Sequence, residues 1–172
     1  EFMSECGLML LGNIELTSDG YPRSDRYFDE LPGVFHESAL LDRFHGFIEG
    51  WLLPRMNNDM ILRDWTINVE FFSEVMHKLR VAPEYAELVN NAIEIPAKAD
   101  TRHLNAVKRI ATAYCKLIFP HITSIDQFDK AEFNRFCLQP AIHRRDQVRQ
   151  QCANIDNESS FSKPMPLIRV KD

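Results

Sequence analysis

Three polar residues stand where a phosphate could find them: Asn13, Arg43 and Arg102. Asn13 closes the apolar run GLMLLGN, residues 7 to 13. If that run is a strand of a parallel sheet, its last side chain emerges at the rim where ligands of such sheets bind. Otherwise Asn13 is a turn residue, a place asparagine often takes. Arg43 lies in ALLDRFHGFIEGW, residues 39 to 51. Leu40, Leu41 and Phe44 fill the apolar side of a short helix there, so the guanidinium projects either into water or toward a phosphate on a neighbouring molecule. Arg102 falls in the first turn of a helix, where the positive end of the dipole disfavours a cation by a few tenths of a kcal/mol. A nearby anion reverses that sign. Helix N-termini bind phosphate and an arginine adds bidentate donors, although Asp100 and Glu94 can offset Arg102 in water instead.

These side chains need elements to hold them. GLMLLGN is a short continuous apolar run that suits a strand buried on both faces. The segment IELTSDGYPRSDRYFDELPG that follows, rich in Gly and Pro, reads as a loop of about 20 residues, a length usually kept for function or motion. His36 to Phe44 is expected to form a short helix, FIEGW to be extended, and Pro54 to mark a boundary. Beyond it, residues 66 to 80 place Val69, Phe72, Val75, Met76 and Leu79 on one stripe, and Pro83 starts a helix through about Ala92. The clearest helix is DTRHLNAVKRIATAYCKLIFP: Asp100 or Thr101 caps it, Leu104, Val107, Ala111, Tyr114 and Ile118 line one side, and Pro120 stops it. A helix around 126 to 138 is expected to break at Pro140, with another from about 141 to 155. ESSFSKP reads as a linker, and MPLIRVKD as an edge strand or the start of a further element.

Bulk properties exclude several classes. The 172 residues carry a formal charge of −5 and are 45% hydrophobic, enough for one domain with a sizeable core or two small lobes and no global basic field for nucleic acid. The cysteines at 6, 115, 137 and 152 stand singly, which argues against a disulfide framework or zinc knuckle. The histidines at 36, 45, 77, 103, 121 and 143 never fall four apart, so no metal site is expected. No apolar run approaches the roughly 20 residues that span a bilayer. The expectation is a soluble, cytoplasmic protein with no membrane partner.

The order of these pieces resembles the second half of an AAA+ ATPase. GLMLLGN is similar to a sensor-one strand, ALLDRFHG to the arginine-finger segment of Lon and, more loosely, of the MCM helicases, and DTRHLNAVKRI to the sensor-two helix of the lid. More closely, LLGNIEL, ALLDRFHGFIEGW, FFSEVMHKLR and TRHLNAVKRIATAYCKLIFPH resemble the BrxL-like family of Lon-related ATP-dependent proteases of BREX phage-defence systems. The resemblance covers roughly residues 7 to 122, and DRFHGFIEGW is its most specific piece.

The resemblance implies a mainly α chain carrying the end of an AAA+ α/β core (residues 1–53), a helical lid (54–122) and a helical connector toward a further C-terminal domain (123–172). It implies that Asn13 holds the attacking water or senses the γ-phosphate, that Arg102 contacts a phosphate of nucleotide in its own subunit, and that Arg43 reaches the neighbouring subunit's γ-phosphate. The cofactor would be ATP, with Mg in the parent protein and none tightly bound to this chain. The partners would be further copies in a ring, and a DNA or polypeptide substrate. The chain contains no GxxxxGK[ST] loop, no hydrophobic strand ending in Asp-Glu before Asn13, and no GPSAG-like serine of a Lon peptidase. It is therefore expected to be a piece of a longer protein and not to hydrolyse ATP alone, with Glu1-Phe2 read as a cloning scar or native residues. The rival expectation is a stand-alone helical interaction module whose Phe-rich stripes form a core or a partner groove.

Overall fold

A computed structural model describes residues 7–97, 99–122, 124–156 and 161–171. It is mainly helical. The central helix, α4 (Thr101–Ile118), begins where Asp100 accepts a hydrogen bond from the Arg102 amide at 2.7 Å, satisfying one of the orphan donors of a helix start. His103, Ala106, Val107, Ala111 and Cys115 recur every three or four residues and bury one face. That face meets α3 (Glu84–Ala92) and the long C-terminal helical run. Together they enclose the larger core, around Tyr85, Val89, Val107, Phe133 and Leu138. The Tyr85 hydroxyl donates to the Pro120 carbonyl at 2.7 Å, so the bulkiest ring of α3 pins the stop of α4.

The C-terminal run departs from the expected break at Pro140. α5 (Lys130–Phe133), a π-helical turn (Asn134–Leu138) and α6 (Gln139–Ile155) follow without interruption. Proline has no N–H to continue the ladder. The chain absorbs this by widening the preceding turn, with the Gln139 amide donating to the Asn134 carbonyl five residues back. Here Pro140 sits at the start of α6, a position proline tolerates.

Only two short strands occur among the described residues, β1 (Ile93–Glu94) and β2 (Arg169–Val170), paired antiparallel with Ile93 opposite Val170. β2 is the edge strand expected in MPLIRVKD. The expected strand at residues 7–13 does not form, and Leu8, Met9, Leu10 and Leu11 are exposed. A strand buried on both faces needs partners for its N–H and C=O groups, and no described segment pairs with this one. Residues 1–6, including Cys6, and residues 158–160 of the expected linker lie outside the described residues. The linker's Phe161 is not solvated as a linker residue would be: it is buried in a second core with Phe28, Leu41, Val148 and Cys152.

The expected helix over residues 36–44 is shorter, a 3-10 turn (Gly33–His36) and then α1 (Ser38–Leu41). α2 (Val69–Arg80) starts where Asn68 Oδ1 accepts from the Phe71 amide at 3.1 Å. Its stripe is covered only at Val75, Met76 and Leu79, which are half-buried, while Val69 and Phe72 are exposed. Exposure extends upstream through Leu52, Leu53, Met56, Leu62 and Trp65. No helix among the described residues is long and apolar enough to cross a membrane.

Candidate functional site

The chain turns sharply where α1 ends. Leu41 is fully buried in the second core, and the amides of Asp42, Arg43 and Phe44 bond back to the carbonyls of Ser38, Leu40 and Leu41 at 2.9, 3.1 and 2.9 Å. This tight turn sends consecutive side chains in different directions. Asp42 goes inward, with 6% of its side chain exposed, and Arg43 goes outward into solvent. The Arg43 guanidinium donates to the Ala39 carbonyl on its own turn.

The rest of DRFHGFIEGW is fastened to α6. A Cβ on Gly46 would lie 3.0 Å from both Arg144 Cβ and Ile110 Cδ1, so only glycine lets the chain approach α4 and α6 this closely. Next to it, the Phe47 amide donates to the Arg144 carbonyl at 3.1 Å. Glu49 accepts from His143 Nε2 at 2.6 Å and from Arg144 Nη1 at 3.5 Å. Phe47 stacks on Tyr27 at 5.5 Å between ring centroids and meets Phe28 edge-on at 5.7 Å, while Trp51 lies 4.9 Å from Tyr27. The motif that carried the family resemblance is thus a docking strap whose apolar and acidic residues hold one face of α6.

Asp42 joins two helices. Its Oδ2 accepts from Arg102 Nη1 at 2.6 Å, and its Oδ1 accepts from Arg145 Nη2. Arg145, on α6, is 1% exposed. Its Nη1 donates to the carbonyls of Asp42 and Phe44 at 3.0 and 2.6 Å, and its Nε to His103 Nδ1 at 2.9 Å. Burial by itself raises the Asp42 pKa, but the Arg102 hydrogen bond together with the charge and hydrogen bond of Arg145 outweighs it and holds the carboxyl below its ordinary value. Burial first, and then the Arg145 charge, keep His103 below its ordinary pKa against the opposing pull of Asp100 and Asp42. A neutral His103 is what Arg145 requires, because only an unprotonated Nδ1 can accept from Nε. Beside the strap, Arg109 Nη1 lies 2.8 Å from His45 Nε2, and burial followed by the Arg109 charge lowers the pKa of that histidine too.

The three residues singled out in the sequence fare differently. Arg102 is bonded to Asp42, the residue before Arg43 in the chain, and 59% of its side chain is exposed, whereas the Arg43 guanidinium turns to the Ala39 carbonyl. The anion that the dipole argument demands near Arg102 is present as the protein's own Asp42. Asn13 is exposed on an irregular segment, and among the described residues no hydrogen bond links it to either arginine. Asp42, His103 and Arg145 were not singled out as a site. The signal available was an aspartate immediately before the projecting arginine. Its partners lie 60 and 103 residues away.

The fold is a mainly helical domain in which the buried Asp42 carboxylate joins the turn after α1 to α4 and α6. Residues 1–165 match the family model described as the Lon-like protease BrxL-like, ATPase domain, and the chain belongs to that family. Two relatives are both named Lon-like protease BrxL. The one from Escherichia coli O9:H4 (strain HS) is 22% identical over 157 residues, which is 91% of this chain and 22% of the relative. The one from Bacillus cereus (strain H3081.97) is 23% identical over 153 residues, 88% of this chain and 22% of the relative. The chain therefore spans about a fifth of the length of each relative it matches.

Proposed function

We propose that this chain works as part of a ring-forming, cytoplasmic AAA+ ATPase of the BrxL type, coupling ATP hydrolysis to work on DNA or polypeptide in phage defence. In this reading residues 1–53 close the ATPase core, 54–122 form its lid and 123–172 lead toward a further domain. Arg43 reaches the γ-phosphate of nucleotide held by the neighbouring subunit, Arg102 contacts a phosphate of nucleotide in its own subunit, and Asn13 orients the attacking water. The observation that carries it is the exposed Arg43 guanidinium on a turn whose backbone is pinned on both sides.

The residues present fit a nucleotide in part. Arg43 and Arg102 offer exposed planar donors suited to phosphate oxygens. The cradle and the metal-binding carboxylates would come from sequence outside this chain, which has no GxxxxGK[ST] loop. Bound ATP with Mg supplies the phosphoryl group to be transferred. Arg43 would place positive charge where negative charge develops on transfer. Arg102 can be released from Asp42 to a phosphate because Arg145 continues to neutralise the carboxylate.

The test is ATP turnover by the full-length gene product carrying Arg43→Ala. Turnover should fall by about 10³ to 10⁵ with nucleotide binding retained, and should recover partly when the variant is mixed with subunits defective elsewhere. Unchanged turnover would overturn the reading. The exposed apolar residues from Leu52 to Phe72 favour a second reading, a helical module that binds a partner through this surface without nucleotide chemistry. That module would tolerate Arg43→Ala and lose its partner on substitution at Trp65.

A further inference from the structure

We propose that Arg145 is the positioning residue for Arg43, a buried guanidinium on α6 that fixes the backbone on both sides of the projecting arginine and ties it to the head of α4. The inference rests on the role proposed for Arg43.

Arg145 makes no hydrogen bond to either exposed arginine among the described residues. It touches the residues beside them. Through Nη1 it holds the carbonyls of Asp42 and Phe44, which flank Arg43 in the chain. Through Nη2 it holds the Asp42 carboxylate, whose other oxygen meets Arg102. Through Nε it holds His103, the residue after Arg102. With the carbonyls before and after Arg43 both fastened, its Cα–Cβ direction is set by α6. Nothing in the Arg43 side chain's own surroundings does this, since its one described bond is to the Ala39 carbonyl of its own short helix.

The chemistry requires arginine. Two carbonyls, a carboxylate oxygen and an imidazole nitrogen are met by one side chain, and a guanidinium presents its donors in a fixed fork that can reach all four. A lysine ammonium, a point donor on a flexible stem, cannot span Nε and both terminal nitrogens at once. Stability alone does not explain the choice, because a buried ion pair replaced by well-packed apolar residues is often neutral or stabilising. Placement does explain it, since moving a reacting group by about 1 Å can cost about 10²-fold in rate.

The test compares Arg145→Lys, Arg43→Ala and the double variant in the full-length gene product. Arg145→Met serves as a second variant if Arg145→Lys does not fold, because it keeps an apolar stem, leaves Asp42 paired with Arg102 and removes both carbonyl bonds, and it should lower kcat to the same extent. Val89→Ala, on α3 and buried in the larger core away from the Arg43 turn, controls for general destabilisation. Arg145→Lys should lower kcat by roughly 10- to 100-fold with KM within about twofold. The double variant should turn over no more slowly than Arg43→Ala, because both act through one guanidinium. Val89→Ala should leave kcat near wild type. Full kcat in folded Arg145→Lys, or a defect that multiplies fully with that of Arg43→Ala, overturns the proposal. If Arg43→Ala impairs turnover while Arg145→Lys does not, this inference alone fails. If Arg43→Ala is silent, the proposed function fails with it.

Discussion

Arg102 Nη1 lies 2.6 Å from Asp42 Oδ2, in a contact between a side chain more than half exposed and one almost wholly buried. The two partners do not depend on it equally. The exposed arginine loses little on release, since water can solvate its guanidinium. A buried carboxylate left unpaired is costly, and Arg145 prevents that. The head of α4 therefore meets the Arg43 turn twice, through the half-exposed Arg102 at Asp42 and through His103 at the buried Arg145.

The Asp42 carboxyl should set an acid limb of stability. Its folded pKa is depressed, so its contribution is complete above the unfolded value near about 3.9 and is lost as pH falls through the lower folded value. Chemical denaturation from pH 7 to pH 2.5 should show a drop in wild type below about pH 4. Asp42→Asn should lose about 3–5 kcal/mol at neutral pH, because Arg145 is left buried without its anion, and its acid limb should be shallower. An Asp42→Asn protein as stable as wild type at pH 7 would contradict this.

His103 should give a separate limb at milder pH. Burial and the Arg145 charge depress its folded pKa, so unfolded chains bind a proton first as pH falls below about 6.5. Its stabilising contribution is full above that pH and declines beneath it. His103→Asn offers an acceptor near the place of Nδ1 with nothing to titrate. Stability measured between pH 7.5 and 5 should therefore fall less in the variant than in wild type, and equal slopes would count against the Nδ1 contact.

Gly46→Ala should loosen the strap. The new methyl would meet Arg144 Cβ and Ile110 Cδ1 at 3.0 Å, one of them rooted in helix backbone. A cost of about 1–3 kcal/mol is expected from overpacking, read by denaturant midpoint. Amide exchange at Phe47 should quicken as its bond to the Arg144 carbonyl lengthens. Unaltered stability would mean that the neighbours yield freely.

The interior thiols should be inert while the chain is folded. Burial first, with help from the Asp42 charge, pushes Cys152 up to about 12. Cys115 is raised by its contact with Cys137 and by burial. Alkylation at pH 8, followed site by site by peptide mass spectrometry, should run on the order of 10³-fold slower at these positions than at an ordinary thiol of pKa about 8.5. Labelling of native protein at the ordinary rate would overturn the assignment.

What could be read from sequence was what depends on near neighbours. α3 and α4 begin and end where Pro83, Asp100 and Pro120 place them, because capping and helix termination are settled within a few residues. The mainly helical class and the family followed from such local patterns. Arg145 escaped because a buried arginine scores as surface in any count of apolar periodicity. The inward face of α6 carries Arg145 and Gln151 among Ala141, Val148 and Cys152, which blurs its stripe. Asp42 escaped because its meaning lies in partners far along the chain. The strand at residues 7–13 was misread because an apolar run states a need for burial and says nothing of what will meet it.

The π-turn before Pro140 sets the rotational phase of the C-terminal rod. Phe133, Cys137, Ala141 and Arg145 all point inward at intervals of four residues. In an ideal α-helix each such step overshoots a full circle by about 40°, so a uniform rod would swing Phe133 away from the side on which Arg145 lies. The wide turn takes up much of that drift. Deleting one residue between Asn134 and Leu138 would leave Phe133 and Arg145 eleven residues apart, about 20° from a whole number of α-helical turns, so both could still be seated and the inserted residue is one the rod absorbs without losing its phase.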